Sequence, residues 1–567
     1  MFVISMMSMH NIKSQQKEVE GIFVNLRVFH LVFSLFLIFI SFGVFCCEDS
    51  PETNHDDKND YGVTPQESFE EIIPNLMSKW SIPGGAVALV KDERLILAEG
   101  YGLADKEYNE IVVANSLFRI ASVSKPITAV AVLKLYEDGL LSLDEKAFSI
   151  LNDLEPPIGA TVDDRIYEIT IRDLLQHSGG WDRELSFDPM FMSREIAKAM
   201  GVQSPADTET IIRYMMGQPL DFSPGERYAY SNFGYCVLGR VIERVTGQSY
   251  EDFVIKNVLE LMGITSMSIG HTLLEERVNG EVRYYDYPGA PLVQSVFPDI
   301  GESVSRPYGG FYLEAMDAHG GWIASVVDLM RFITAVDGHD VRPDFLQTST
   351  LELMVSRPGL SNWENSDWYY ALGWQIRPTG DDANWWHTGS LPGTVSIIVR
   401  SYHGLAWTAL FNSRPFNQST FIGELDNALW QAVNNITNWP SHDLFENYPA
   451  LHLYARNKDF MEIREFERLE IEKRVMEEIP MLMERARISP HQVNGEMRGF
   501  KITKLPENSI LLELGIYRND IIEEINNIQI NDFETLLSLL SKLRSENRFE
   551  VAIKRNGRLI HLLYILK

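Results

Sequence analysis

Cysteine is scarce in this sequence. The 567 residues hold three, and two of them, Cys46 and Cys47, adjoin at the end of an apolar run. Only Cys236 lies in the body, so no disulfide framework staples the fold. No two cysteines have a Cys-x-x-Cys spacing, and none of the 13 histidines is followed by glutamate, which excludes a His-Glu-x-x-His zinc helix. Positive charge is also in short supply. Fifty Lys and Arg against 79 Asp and Glu leave a net charge of −29. Such a chain repels phosphate backbones, which excludes general nucleic-acid binding. No internal repeat is visible. Apolar residues, at 45%, stand at the globular level, so the chain is neither disordered throughout nor fibrous.

One long apolar run is present, from Val28 to Phe45. Its length is at the lower limit for spanning a bilayer and also suits a long signal sequence. Lys13, Lys17 and Arg27 precede it; Glu48, Asp49, Glu52, Asp56 and Asp57 follow. That asymmetry predicts an exported protein, membrane-anchored through residues 1–47 if this signal or anchor is retained. Cys46 or Cys47 stands where a bacterial lipoprotein carries its lipid, although Phe45 is bulky where small residues are usual. Residues 48–63 are polar and read as a flexible tether.

Regular structure is predicted from Thr64. Thr64, Pro65 and Glu67 match a capping box with proline at the first helical position, and Phe69, Ile72, Ile73, Leu76 and Trp80 recur at helical spacing. A hairpin follows, with GAVALV at 85–90 and LILAEG at 95–100. The main body is predicted to run over 64–440. Residues 441–490 lose the strand pattern and read as a helical connector, and 491–567 form a compact β-rich unit.

Three short segments of the body carry chemistry. Ser122 and Lys125 open a mostly apolar helix, and Pro126 confines the helix start to the neighbourhood of Ser122. The hydroxyl then sits at a helix N-terminus, where free N–H groups favour developing negative charge. Lys125 shares its face, and burial there lowers an amine toward the range of a general base. Ser124 is off that face. The second segment is Tyr230-Ser231-Asn232, after a Pro224-Gly225 turn and before an amphipathic helix. The third is His387-Thr388-Gly389, leading toward a strand over 394–400. Each alone is common by chance. Alone, each also has an ordinary structural reading: a capped helix, a packed ring in a loop, a bend at a strand edge.

Their order, Ser-x-x-Lys, Tyr-x-Asn, then His-Thr-Gly, resembles the serine β-lactamase and penicillin-binding-protein superfamily, and most of all its class C β-lactamase-related branch. The flanks ITIRDLLQHSGGW, FSPGERYAYSNFGY, AHGGWIASVVDLMRF and HTGSLPGT carry the same resemblance, over roughly residues 64–435. It implies an α+β fold: an antiparallel sheet flanked by helices, with a mostly helical subdomain over about 135–340. It implies that Ser122 is the acylated nucleophile, Lys125 its proton acceptor and Tyr230 either the proton shuttle to the leaving group or the activator of the deacylating water. Asn232 would position Lys125 and a substrate amide. His387 and Thr388 would line the strand on which substrate lies, and Gly389 would give it clearance. The backbone N–H groups of Ser122 and Ser390 would form the oxyanion hole. No metal or cofactor is implied. Many members carry lysine where His387 stands. A neutral histidine offers no fixed charge to a carboxylate, so uncharged esters or amides are expected to be preferred to penicillins.

The C-terminal unit resembles a PDZ domain of the kind found in type II secretion protein C. The matching residues are Arg498-Gly499-Phe500, Leu514-Gly515-Ile516, Asn519-Asp520-Ile521-Ile522 and Arg555-Asn556-Gly557, with Asn527 where glycine is usual. The resemblance implies an exposed strand edge near Gly499 and Phe500 that captures an extended peptide or chain terminus. The function expected is that of a serine hydrolase acting on a small ester, amide or peptide through a covalent acyl-enzyme. The alternative is a penicillin-binding sensor that acylates with little turnover and works through its PDZ-like domain.

Overall fold

In the computed structural model of the protein, the described residues are 62–448 apart from 302 and 340, and 461–567 apart from 494–495, 507–508, 519, 527, 533–534, 536–538, 540–547 and 556–557. The apolar run, Cys46, Cys47 and nearly all of the tether lie outside them, as do Asn519, Asn527, Asn556 and Gly557. Among the described residues no helix is long and apolar enough to cross a membrane.

Helix α1 (Pro65–Trp80) starts at the predicted capping box. Thr64 Oγ1 accepts from the Glu67 amide at 3.3 Å, and the Glu67 carboxylate accepts from the Thr64 amide at 2.8 Å. Strands β1 (Gly84–Lys91) and β2 (Arg94–Asp105) form the predicted hairpin. They belong to an eight-stranded antiparallel sheet completed by β3 (Glu110–Ile111), β4 (Tyr369–Tyr370), β5 (Gln375–Thr379), β6 (Asp382–Leu391), β7 (Thr394–Ser401) and β8 (Leu405–Phe411). The strand order is β3-β2-β1-β8-β7-β6-β5-β4, so the two ends of the body meet at the β1–β8 pair.

The central strands are buried on both faces, which explains why β7 and β8 read as apolar runs rather than alternating ones. Val87, Leu89, Val395, Ile397 and Val399 pack toward α1 and α4 (Gln418–Asn435). Ala86, Ala88, Val90 and Ile398 face the opposite core. That core holds α2 (Ser124–Glu137), whose residues from Ser124 to Leu133 are all buried. Between α2 and residue 340 the chain is mainly short helices and irregular segments, including α3 (Asn232–Thr246), as predicted for the helical subdomain.

The body extends past residue 440. Asp443 Oδ1 accepts from the Leu95 amide at 3.0 Å, and Phe445 is buried in the main core. The boundary predicted at 440 therefore moves to about 448. Removing a buried phenylalanine costs about 3–5 kcal/mol. A chain ending after 440 is expected to melt several degrees below one ending after 448; equal melting temperatures would contradict this boundary.

The C-terminal module also starts earlier than predicted. The stretch read as a helical connector contains helix α5 (Arg468–Arg485) between two strands, β9 (Met461–Phe466) and β10 (Arg487–Val493). These join β11 (Glu496–Lys504), β12 (Ile521–Ile525), β13 (Arg548–Arg555) and β14 (Arg558–Leu566) in a sheet of order β9-β14-β13-β12-β11-β10. Phe500 lies on β11, which pairs with β10 on one side and β12 on the other, and its side chain is buried. The Gly499 amide donates to Ile530 O at 2.9 Å, and a Cβ at Gly499 would stand 2.1 Å from Ile522 O. The expected peptide-binding edge at Gly499 and Phe500 is thus closed by the module's own strands. Gly499 is glycine because β12 passes too close for a side chain.

Candidate active site

Ser122 sits in a single 3-10 turn, Ala121–Val123, that runs straight into α2. Ala121 takes φ +48°, a left-handed conformation that costs a non-glycine residue of order 1 kcal/mol. The turn is pinned to the sheet: Ser396 Oγ donates to Ile120 O at 2.6 Å, and Thr394 Oγ1 donates to Arg119 O at 2.7 Å. A Cβ on Gly389 would lie 2.2 Å from Ile120 O. The clearance expected here for substrate is instead clearance for the serine turn, which lets β6 lie against it.

Lys125 is fully buried, and its Nζ has three hydrogen-bond partners: Ser122 Oγ at 3.1 Å and the acceptor oxygens Asn232 Oδ1 at 2.8 Å and His319 O at 2.9 Å. Burial holds this amine well below its ordinary value; nearby Asp188 opposes the shift and Arg183 adds to it. Ser231 caps α3, its Oγ accepting from the Gly234 amide at 3.2 Å, so the helix start aims Asn232 inward. Asn232 gives its Nδ2 to Asp188 Oδ2 at 2.6 Å, which leaves Oδ1 for Lys125.

Tyr230 stands over the same amine, with Lys125 Nζ 4.8 Å from the ring centroid. Burial raises the phenol above its ordinary value, while the nearby Ser122 hydroxyl and Arg183 oppose this. The environment thus drives the two groups apart, the amine toward its neutral form and the phenol toward its protonated form. His177 packs behind Tyr230 with ring centroids 4.4 Å apart, and its Nδ1 accepts from the Ser231 amide at 3.2 Å.

His387 lies behind the cleft and does not line it. Its Nε2 is 3.1 Å from the Tyr370 hydroxyl and its Nδ1 2.8 Å from Thr388 O, so both ring nitrogens are engaged by the protein. Burial, then the nearby Lys125 charge, pushes it down to about 3, and it stays neutral as predicted. The expected substrate contact is absent because the ring turns inward on β6. Thr388, one residue on, points to the opposite face and lines a separate groove with Trp386 and Trp430.

A cleft of about 210 Å³ opens on Ser122, with His319 and Gly320 beside it. Arg183, Phe191 and Asn232 line it from the helical side; Ser390, Leu391, Arg414 and Gln418 line it from the sheet and α4. The two arginines were not singled out from sequence, where each sits in an ordinary loop. They overturn the inference that the cleft has no cation once His387 is neutral. The Arg414 guanidinium is largely buried, which pushes it below its ordinary value, and among the described residues no hydrogen bond occupies it. Cys236 is a buried free thiol, as expected.

A single-turn serine, a buried lysine beneath it and a tyrosine over that lysine stand together on an α+β scaffold. The family model named Beta-lactamase matches residues 69–428, and the chain belongs to that family. It is 28% identical over 324 residues to penicillin-binding protein 4* of Bacillus subtilis, covering 56% of this chain and 65% of that protein. It is 31% identical over 222 residues to the probable fimbrial assembly protein FimD of Dichelobacter nodosus, covering 39% of this chain and 49% of that one. The chain thus spans less than two thirds of either relative. Among solved structures it is similar to a D-amino acid amidase from Ochrobactrum anthropi SV3 complexed with L-phenylalanine amide, at TM-score 0.51 and 22% identity over 66% of this chain and 99% of that one. It is also similar to EstCE1, a hydrolase with promiscuous acyltransferase activity, at TM-score 0.52 and 20% identity over 65% and 98%. At these identities the two structures bear on the fold alone.

Proposed function

We propose that the protein is a serine hydrolase that cleaves an ester or amide through a covalent Ser122 acyl-enzyme. The observation that carries this reading is the hydrogen-bonded set Ser122–Lys125–Asn232 under the Tyr230 ring, opening on a cleft. Neutral Lys125 takes the proton of Ser122 as Oγ bonds the carbonyl carbon. Tyr230 gives its proton to the leaving group as the scissile bond breaks, and recovers one from the Lys125 ammonium. Water then repeats the sequence and releases the acid. The backbone N–H groups of Ser122 and Ser390 hold the oxyanion, worth about 3–4 kcal/mol per donor. Release of a chromophore from a p-nitrophenyl ester tests the proposal. Steady turnover after the first equivalent supports it; one equivalent followed by silence supports the acylating sensor.

Arg414 sets the substrate's charge in this reading. A substrate with a free carboxylate is expected to exceed its methyl ester in kcat/KM, and Arg414→Gln to narrow that ratio by about tenfold, the worth of one hydrogen bond to a charged group. A wild-type preference for the methyl ester would restore the original expectation from His387. The protein is further proposed to be exported and held at a membrane by its N-terminal run, with its C-terminal sheet module contacting a protein or peptide partner. Support for the first point comes from the charge asymmetry around Val28–Phe45; the second rests on the module's resemblance alone, with any contact made elsewhere than at the closed edge of Phe500.

A further inference from the structure

The Tyr230 ring lies between two cationic side chains. Lys125 Nζ and the Arg183 guanidinium each stand 4.8 Å from its centroid. Lys125 must lose its charge to act as base. The other groups around the ring offer no permanent positive charge. His177, on the loop after residue 175, is fully buried and held well below its ordinary value by that burial. His387 on β6 is neutral, its ring 6.5 Å from that of Tyr230. Tyr228, Tyr235 on α3 and Tyr370 on β4 are phenols that burial raises. Asp188 is the facing acid, and its carboxylate is engaged by Asn232. Arg183 itself is loosely held. Its Nη1 lies 4.0 Å from Asp188 Oδ2 and its Nε 3.4 Å from the exposed Glu184, and its side chain is 39% exposed in the cleft wall.

Resting on the acyl-enzyme reading above, we propose that Arg183 is a positioning residue that supplies the permanent positive charge beside Tyr230 and Lys125, the charge that His387 does not provide. When Tyr230 has given its proton to the leaving group, the phenolate is left against the guanidinium until the Lys125 ammonium returns a proton. The same charge adds to the burial that keeps Lys125 neutral in the resting enzyme. It therefore favours both halves of the transfer without touching the reacting bond.

The test is the pH profile of kcat/KM for an uncharged amide, whose leaving nitrogen needs a proton, on the full chain. The acid limb reports Lys125 losing its proton and the alkaline limb Tyr230 losing its own. Removing a cation at this distance raises both values. Arg183→Gln is expected to move both limbs to higher pH by about one unit, the low end for a charge within 4–6 Å. Its kcat at pH 7 should fall about tenfold with KM for the neutral amide little changed. Arg183→Lys should hold the limbs near wild type, and Arg183→Ala, the second variant, should shift them as glutamine does and be partly rescued by added guanidinium ion. Limbs that stay in place in both neutral variants, whatever the loss of rate, would overturn the proposal, as would a change confined to KM. Failure of the acyl-enzyme reading itself shows differently, as wild-type protein with no profile to measure.

Discussion

Ser122→Ala is expected to abolish acylation and all turnover of a chromogenic ester, while circular dichroism and melting temperature stay near wild type. The hydroxyl is the only group at the start of α2 that Lys125 can deprotonate, since Nζ is 3.1 Å from Ser122 Oγ and its other contacts are the acceptor oxygens of Asn232 and His319. Losing a nucleophile of this kind removes the covalent route entirely, typically about six orders of magnitude. The neighbouring Ser124 is the internal control. It is buried on the other side of the turn, and its Oγ only accepts a long 3.4 Å bond from the Trp322 amide. Ser124→Ala should be nearly silent. Full activity in the Ser122 variant would end the assignment.

Tyr230→Phe should slow turnover by about two to four orders of magnitude, the usual range for losing a proton-transfer group. Phenylalanine keeps the ring contacts with His177 at 4.4 Å and Tyr370 at 6.3 Å, so the cleft keeps its shape and KM should change little. What is lost is the hydroxyl that, in the proposed reaction, protonates the leaving group. The defect should therefore shrink for esters with good leaving groups such as p-nitrophenolate, which need no proton, and grow for amides. A loss below about threefold on both would reduce Tyr230 to a packing residue. A defect equal across leaving groups would place its role in the deacylating water step.

Much of this site is legible in the sequence where backbone chemistry forces one outcome. Pro126 fixed the helix start, and Ser122 and Lys125 duly hydrogen-bond across one face. The Thr64–Glu67 capping box and the 85–100 hairpin are likewise local, and both stand in the structure. Long-range contacts leave no such mark. Asp188 looks like a turn acid before Pro189, yet it accepts from the Asn232 amide at 2.6 Å. Arg183 and Arg414 sit in loops, where a charged residue is normally a solvated one, and only the fold brings both to the cleft. His319 contributes its main-chain oxygen to Lys125, which no side-chain pattern announces.

The inward turn of His387 is a matter of strand phase. Alternation on β6 sends Thr388 to the opposite face from His387, and sequence alone does not say which face holds the cleft. At the C-terminus, Pro490 hid β10 from a strand reading, because proline is excluded from central strands. It is tolerated here since β10 is the sheet's edge and shifts register between Pro490 and Gln492. The expectation for Phe500 came from the resemblance of the module, which carries no sign that β10 pairs along β11.

Intact-mass analysis of the protein after brief exposure to esters, D-amino-acid amides, D-Ala-D-Ala peptides and β-lactams tests the central claim most directly, with peptide mapping of any adduct. The account predicts a mass gain equal to one acyl group on at least one of these, mapped to Ser122, persistent in Tyr230→Phe and absent in Ser122→Ala. An adduct mapped to any other residue, or steady hydrolysis that survives in Ser122→Ala, would contradict it.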